Sequence, residues 1–94
     1  MAHGYEVIGR NWRCDVGEID LIVRRGDEVV FVEVKARADD RFGPPAAAVG
    51  HAKQRTIRRV AARWLALATD ARGDVRFDVV AVTGARVDVI EAAF

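Results

Sequence analysis

Asp20, Glu33 and Lys35 lie in two short runs, Gly17-Glu18-Ile19-Asp20-Leu21-Ile22 and Phe31-Val32-Glu33-Val34-Lys35, that a hairpin would bring side by side. Two carboxylates on adjacent strands make a hard-oxygen seat for Mg²⁺ or Mn²⁺, cations that leave positions open for water and a substrate phosphate. Such an ion polarises a phosphoryl oxygen, supports formation of the attacking hydroxide and neutralises charge on the leaving oxygen. A lysine two residues beyond Glu33 lies on the same strand face, about 6.5 to 7 Å further along. From there it can orient the nucleophilic water or stabilise the pentavalent transition state. The chemistry of this set is phosphodiester hydrolysis, with Asp20 and Glu33 as metal ligands and Lys35 beside them.

The positioning elements follow from the turn. Between the runs stands Arg24-Arg25-Gly26-Asp27-Glu28, and a two-residue loop opening on Gly suits a type II′ turn, whose twist matches the flanking strands. With Gly26 and Asp27 as the loop, Arg25 faces Glu28. Counting back pairs Ile19 with Val34, Leu21 with Val32 and Val23 with Val30, all apolar. The other face sets Glu18 across from Lys35, Asp20 across from Glu33 and Ile22 across from Phe31. Opposed Cβ atoms are roughly 4.5 to 5.5 Å apart and like charges there repel, so Asp20 facing Glu33 calls for something positive between them.

A plainer reading stands beside this one. The polar face of a half-buried hairpin usually meets water, which would leave Glu18 and Lys35 as an exposed ion pair of little value. Residue types oppose it: Ile22 and Phe31 share that face, and Val29 to Val34 is apolar except at Glu33, the pattern of a strand covered on both sides. A carboxylate in such a strand is costly unless paired or metal-bound.

The 94 residues, about half of them apolar, suit a single small globular domain over 1–94. Formal charge is near neutral but unevenly spread. Residues 1–40 carry six basic and nine acidic side chains, 41–69 six basic and none acidic, and 70–94 three basic and five acidic. Cys14 is the only cysteine, which excludes an intrachain disulfide and a Cys-based zinc site. His3 and His51 lack the spacing of a metal pair or a nucleophile with its base and read as surface residues. No signal peptide and no apolar run of about 20 residues is visible, so a cytoplasmic protein without membrane contact is expected.

Along the chain, Tyr5 to Arg10 reads as a strand followed by a polar turn around Asn11, and then comes the hairpin. Arg37 to Pro45 is a loop whose Pro44 and Pro45 suit a helix entry. Ile57, Val60, Ala61, Trp64, Leu65 and Ala68 form the stripe of an amphipathic helix packed on a sheet, ended by Arg72-Gly73-Asp74. Val75 to Val82 and Arg86 to Ile90 read as strands around a Thr83-Gly84-Ala85 turn. The expected order is βββαββ, an α/β fold with a mixed β-sheet and one long amphipathic helix.

The polar side of that helix carries Lys53, Arg55, Arg58, Arg59 and Arg63 with no acid nearby in sequence. A solvated cationic face is the plain account. The absence of any acid from Arg41 to Thr69 points instead to a surface for the nucleic-acid backbone, because Lys and Arg clusters supply the sequence-independent part of that affinity. Trp64 belongs to the apolar stripe, and no aromatic ladder for single strands is present.

Asp20, the 12-residue gap and Glu33-Val34-Lys35 resemble the PD-(D/E)xK nuclease superfamily. The closer resemblance is to the YraN-like family of predicted endonucleases. Its landmarks occur in order: Gly4-Tyr5, Arg10-Asn11, GEIDLI from Gly17, FVEVK from Phe31, Phe42-Gly43, Lys53, Arg76-Phe77-Asp78-Val79-Val80 and Ala93-Phe94. The resemblance implies a restriction-endonuclease-like fold and a Holliday-junction-resolvase-like site. In that site Asp20 and Glu33 bind metal, the Val34 backbone carbonyl is a third ligand, and Lys35 sits on the catalytic base side. Members of that family open with a helix carrying an acidic residue, whereas this chain opens at Met1-Ala2-His3-Gly4. Glu18, on the Asp20 face, is the candidate for the additional acid.

The expected function is a Mg²⁺- or Mn²⁺-dependent endonuclease acting on structured or branched DNA. A homodimer would suit two-strand cutting, with Arg86 to Ile90 as the pairing edge. The alternatives are a nucleic-acid-binding module of the same fold with little intrinsic catalysis, and a purely structural domain.

Overall fold

The computed structural model describes residues 4–39, 41, 43–68 and 73–94. Its elements are β1 (Glu6–Cys14), β2 (Gly17–Arg25), β3 (Glu28–Arg37), α1 (His51–Leu67), β4 (Val75–Thr83) and β5 (Arg86–Ile90), with a short 3-10 turn at Pro45–Ala47 before the helix. The strands form one five-stranded sheet in the order β1-β2-β3-β4-β5. All neighbours are antiparallel except β3 and β4, which run parallel. Parallel neighbours need a crossover of a dozen or more residues, and α1 supplies it. The expected βββαββ order and mixed α/β sheet are present.

The hairpin register is the one the turn dictates: Leu21 pairs with Val32, Ile22 with Phe31, Val23 with Val30 and Arg25 with Glu28. Gly26 takes the left-handed φ of 59° that opens such a turn. Val29 through Glu33 are all buried, as expected of a strand covered on both sides.

Three local expectations are corrected. There is no turn at Asn11; β1 runs on to Cys14, and Asn11 takes φ 47° inside it, a left-handed conformation that Asn tolerates better than most residues. Ile19 does not pair with Val34. It lies opposite Trp12 of β1, is 1% exposed and joins the core beneath the helix. Finally, α1 ends at Leu67 with Ala68 extended, short of the expected stop at Arg72-Gly73-Asp74. Arg72 lies outside the described residues, as do Met1 to His3 and Phe42.

The helix buries Ile57, Val60 and Ala61 on the sheet, with Trp64 and Leu65 at the margin of the same core. It can approach β2 closely because Gly17 has no side chain. A Cβ there would lie 3.0 Å from Thr56 Cγ2 and 3.2 Å from Val60 Cγ2. Aromatic rings continue the core: Trp64 meets Phe31 edge-on at 5.7 Å, Phe31 stacks with Phe77 at 5.5 Å, and Phe77 stacks with Phe94 at 5.2 Å. Such pairs add roughly 0.5 to 1.5 kcal/mol each beyond area burial.

The opposite sheet face holds a smaller cluster of Val23, Val30 and Val32, flanked by Tyr5, Val7, Leu21 and Val80. Beside it Arg76 donates to both carboxylate oxygens of Asp78 at 2.8 and 2.9 Å, to Glu28 Oε1 at 3.2 Å and to the Tyr5 hydroxyl at 3.1 Å. Asp78 is 5% exposed and also accepts the Ala92 N–H at 3.0 Å. This charged knot ties Tyr5, the residue before β1, to β3, β4 and the C-terminal turn.

Candidate active site

The acids and the lysine of the hairpin gather at the carboxyl end of β3, where α1 begins. An open cleft of about 410 Å³ there is lined by Asp20, Glu33, Val34, Lys35, Val49, Gly50 and Lys53. Each comes from a different local cause. β2 delivers Asp20 and β3 delivers Glu33 and Lys35 on alternate positions of one face. Gly50 caps α1 and sets Lys53 in the first helical turn.

The β2–β3 ladder stops at Leu21–Val32. Beyond it the Val34 N–H donates at 2.8 Å to Asp20 Oδ2, so a carboxylate takes the place of a backbone carbonyl. The charge repulsion expected between Asp20 and Glu33 is thereby met partly by a backbone donor. Glu33 is 8% exposed, and its carboxylate pairs with Lys53 Nζ at 3.3 Å. Burial, then the adjoining Asp20 carboxylate as hydrogen-bond partner and as like charge, push Glu33 up to about 7, against the opposing pull of Lys53. A carboxyl so placed holds its proton near neutrality unless a cation replaces it.

This has a consequence for stability. Unfolded, Glu33 titrates near its ordinary 4.5; folded, near 7. The native state therefore retains a proton that the unfolded chain has released. Stability from this group is full below about pH 4.5, falls as pH rises, and is lost above about 7, a difference on the order of 3 kcal/mol. Metal-free melts of wild type and Glu33→Gln across that window check it: the substitution should flatten the fall.

Glu18 is not in the cleft. It forms an ion pair with Arg13 across the β1–β2 pair instead of facing Lys35. His51 is exposed on the first turn of α1 and is not among the cleft residues. Among the described residues no group of three or more His, Cys, Asp or Glu gathers to hold a metal ion, so the acid pair is the whole carboxylate complement of the cleft. No described helix is long and apolar enough to cross a membrane.

The helix cations do not form the uniform unpartnered face expected from the sequence. Lys53 belongs to the cleft. Arg63 pairs with Asp15 of the β1–β2 turn. Arg58 lies over the Phe77 ring at 4.7 Å and the Phe94 ring at 5.4 Å, capping the aromatic column. Arg55 and Arg59, one turn apart and exposed, have no acid partner among the described residues. Arg58→Ala should accordingly cost about 1 to 2 kcal/mol by loss of cation–π and stem packing, while Arg59→Ala stays within about 0.5 kcal/mol. Urea titrations of the two variants separate them.

Sequence reasoning missed Lys53 as a partner of Glu33. The signal was its place in the first turn of a helix that must start at the end of β3, since a crossover into a parallel strand brings its entry back beside the strand it left.

The family model described as "Uncharacterised protein family UPF0102" matches residues 1–82. A UPF0102 protein of Beutenbergia cavernae is 52% identical over 85 residues, covering 90% of this chain and 72% of the relative. One of Frankia casuarinae is 50% identical over 98 aligned residues, covering 99% and 83%. One of Syntrophus aciditrophicus is 44% identical over 95, covering 97% and 75%.

Proposed function

Starting from a chain that belongs to the UPF0102 family, we propose a metal-dependent endonuclease of restriction-endonuclease-like fold that hydrolyses phosphodiester bonds in DNA, structured or branched DNA above all. The observation that carries the reading is the convergence of Asp20, Glu33 and Lys35 in one open cleft at the carboxyl end of β3.

The residues fit Mg²⁺ or Mn²⁺. Asp20 and Glu33 offer hard oxygens, and Mg²⁺ is ordinarily held by one or two carboxylates with waters and substrate phosphate filling the rest. An extended strand points the N–H and C=O of a residue to the same edge, so the Val34 carbonyl is directed to the Asp20 side as a third donor. Burial and the adjoining Asp20 carboxylate raise the titration of Glu33, and a cation held between the two acids would favour its ionised form. When bound, the ion supplies Lewis-acid polarisation of the phosphate and activation of water.

The residues of the chain do the rest. Asp20, fixed by the Val34 N–H, and Glu33, fixed by burial, hold the acid geometry. The exposed Lys35 ammonium reaches the nonbridging phosphate oxygens and the attacking water, favouring the charge that grows as the new P–O bond forms and the P–O bond to the leaving oxygen breaks. The water loses a proton and the leaving oxygen gains one. Arg55 and Arg59 give the flanking DNA backbone a cationic track.

One observation favours a second reading, a nucleic-acid-binding module with little intrinsic catalysis: the Lys53 ammonium stands 3.3 Å from the Glu33 carboxylate, where a divalent ion would sit. Cleavage assays on duplex, flap and four-way-junction DNA with Mn²⁺, comparing wild type with Asp20→Ala and Lys35→Ala, decide between them. Binding without cleavage would favour the second, and cleavage surviving both substitutions would reject the site. Cytoplasmic residence and a homodimer pairing through β5 belong to the same proposal, the latter read by sedimentation equilibrium.

A further inference from the structure

Glu33 and Lys53 form a buried-to-exposed ion pair: the Glu33 side chain is 10% accessible, the Lys53 side chain 51%. The acid is fixed in the sheet, and the cation is a flexible arm on the first turn of α1 with half its surface in water. The pair sits inside the cleft that also contains Asp20 and Lys35. A free arm on a fixed acid, at the place where a divalent ion would neutralise that acid, has two positions open to it.

We infer that Lys53 is a built-in occupant of the ion position, displaced from Glu33 when a divalent cation binds and thereby freed to take a phosphate of the DNA. The inference rests on the nuclease reading of the cleft and adds to it a coupling between ion and DNA. Without the ion, Glu33 detains Lys53 and the arm contributes little to DNA. With the ion, the Glu33 carboxylate is satisfied from the other side and the ammonium loses its partner. Because binding free energies are reciprocal, whatever the ion adds to DNA affinity by releasing Lys53, bound DNA adds equally to ion affinity.

Two measurements test this, on wild type, Lys53→Met and Lys53→Arg. Titration calorimetry with Mn²⁺ alone should show Lys53→Met binding the ion at least about fivefold more tightly than wild type, the low end of ordinary site-to-site coupling, and Lys53→Arg no more tightly than wild type. Fluorescence anisotropy with a phosphorothioate duplex that resists cleavage should show Lys53→Met and wild type binding equally without Mn²⁺. With Mn²⁺ the variant should bind about fivefold more weakly at 0.15 M salt, the worth of one phosphate contact. Arg55→Gln, outside the cleft, should weaken DNA binding equally in both conditions.

An unchanged or weaker Mn²⁺ affinity in Lys53→Met, or a DNA deficit independent of the ion, overturns the inference while leaving the nuclease reading standing. Absence of Mn²⁺ binding by every protein, Lys53→Met included, removes the nuclease reading and the inference with it.

Discussion

Lys35→Ala should lower Mn²⁺-dependent cleavage by about 10²- to 10³-fold, the usual toll of removing one transition-state charge donor, yet leave the stabilisation by Mn²⁺ in thermal melts intact. Asp20→Asn should abolish both. The two substitutions differ because Lys35 is exposed and has no hydrogen bond or ion pair among the described residues, whereas Asp20 accepts the Val34 N–H and is the proposed ligand of the ion. Asn at position 20 can still accept that N–H, and it removes the like charge beside Glu33. The metal-free Asp20→Asn protein should therefore melt no lower than wild type. A Mn²⁺-induced rise in melting temperature that is equal in wild type and Asp20→Asn would eliminate Asp20 as a ligand.

The largest stability loss is expected far from the cleft. Asp78→Ala removes the acceptor of two Arg76 guanidinium bonds and of the Ala92 N–H, leaving Arg76, whose side chain is 18% exposed, with Glu28, Tyr5 and a longer contact to the exposed Glu91 at 3.9 Å. Breaking a buried charged pair from one side costs about 3 to 5 kcal/mol. In a chain of this size that lowers the melting temperature by roughly 12 °C or more. Asp88→Ala, which breaks an Arg86–Asp88 pair at the sheet edge, should cost less than about 1 kcal/mol. Similar losses for both would mean that the knot around Arg76 is no more than a surface ion pair.

What could be read from the residues was what is local. Gly26-Asp27 dictated the turn, and the turn dictated every pair from Leu21–Val32 to Arg25–Glu28. The spacing of Ile57, Val60, Ala61 and Trp64 gave the helix and its buried side. The register failed where tertiary contacts overrode alternation. Asn11 reverses the handedness of β1 locally, Ile19 turns under the helix beside Trp12, and the Asp20 carboxylate replaces a ladder bond. Asp20, Glu33 and Lys35 could be placed together because they share one hairpin. Lys53 was legible only through the place where the crossover helix starts, and Arg58 not at all, since its partners in the Phe77–Phe94 stack lie across a crossover whose path is set by the fold.

The order of strands also bears on how the molecule assembles. Contacts between near neighbours in sequence form fast, and parallel pairing across a long connection forms late. β2 and β3 are joined by two residues, whereas β4 reaches β3 only after α1 has crossed. On that ordering the carboxylates of Asp20 and Glu33 should meet in an early hairpin, before Lys53 arrives to share their charge. Refolding should carry that repulsion in its rate, and a divalent ion present from the start should speed the folding arm of the chevron more than it slows unfolding.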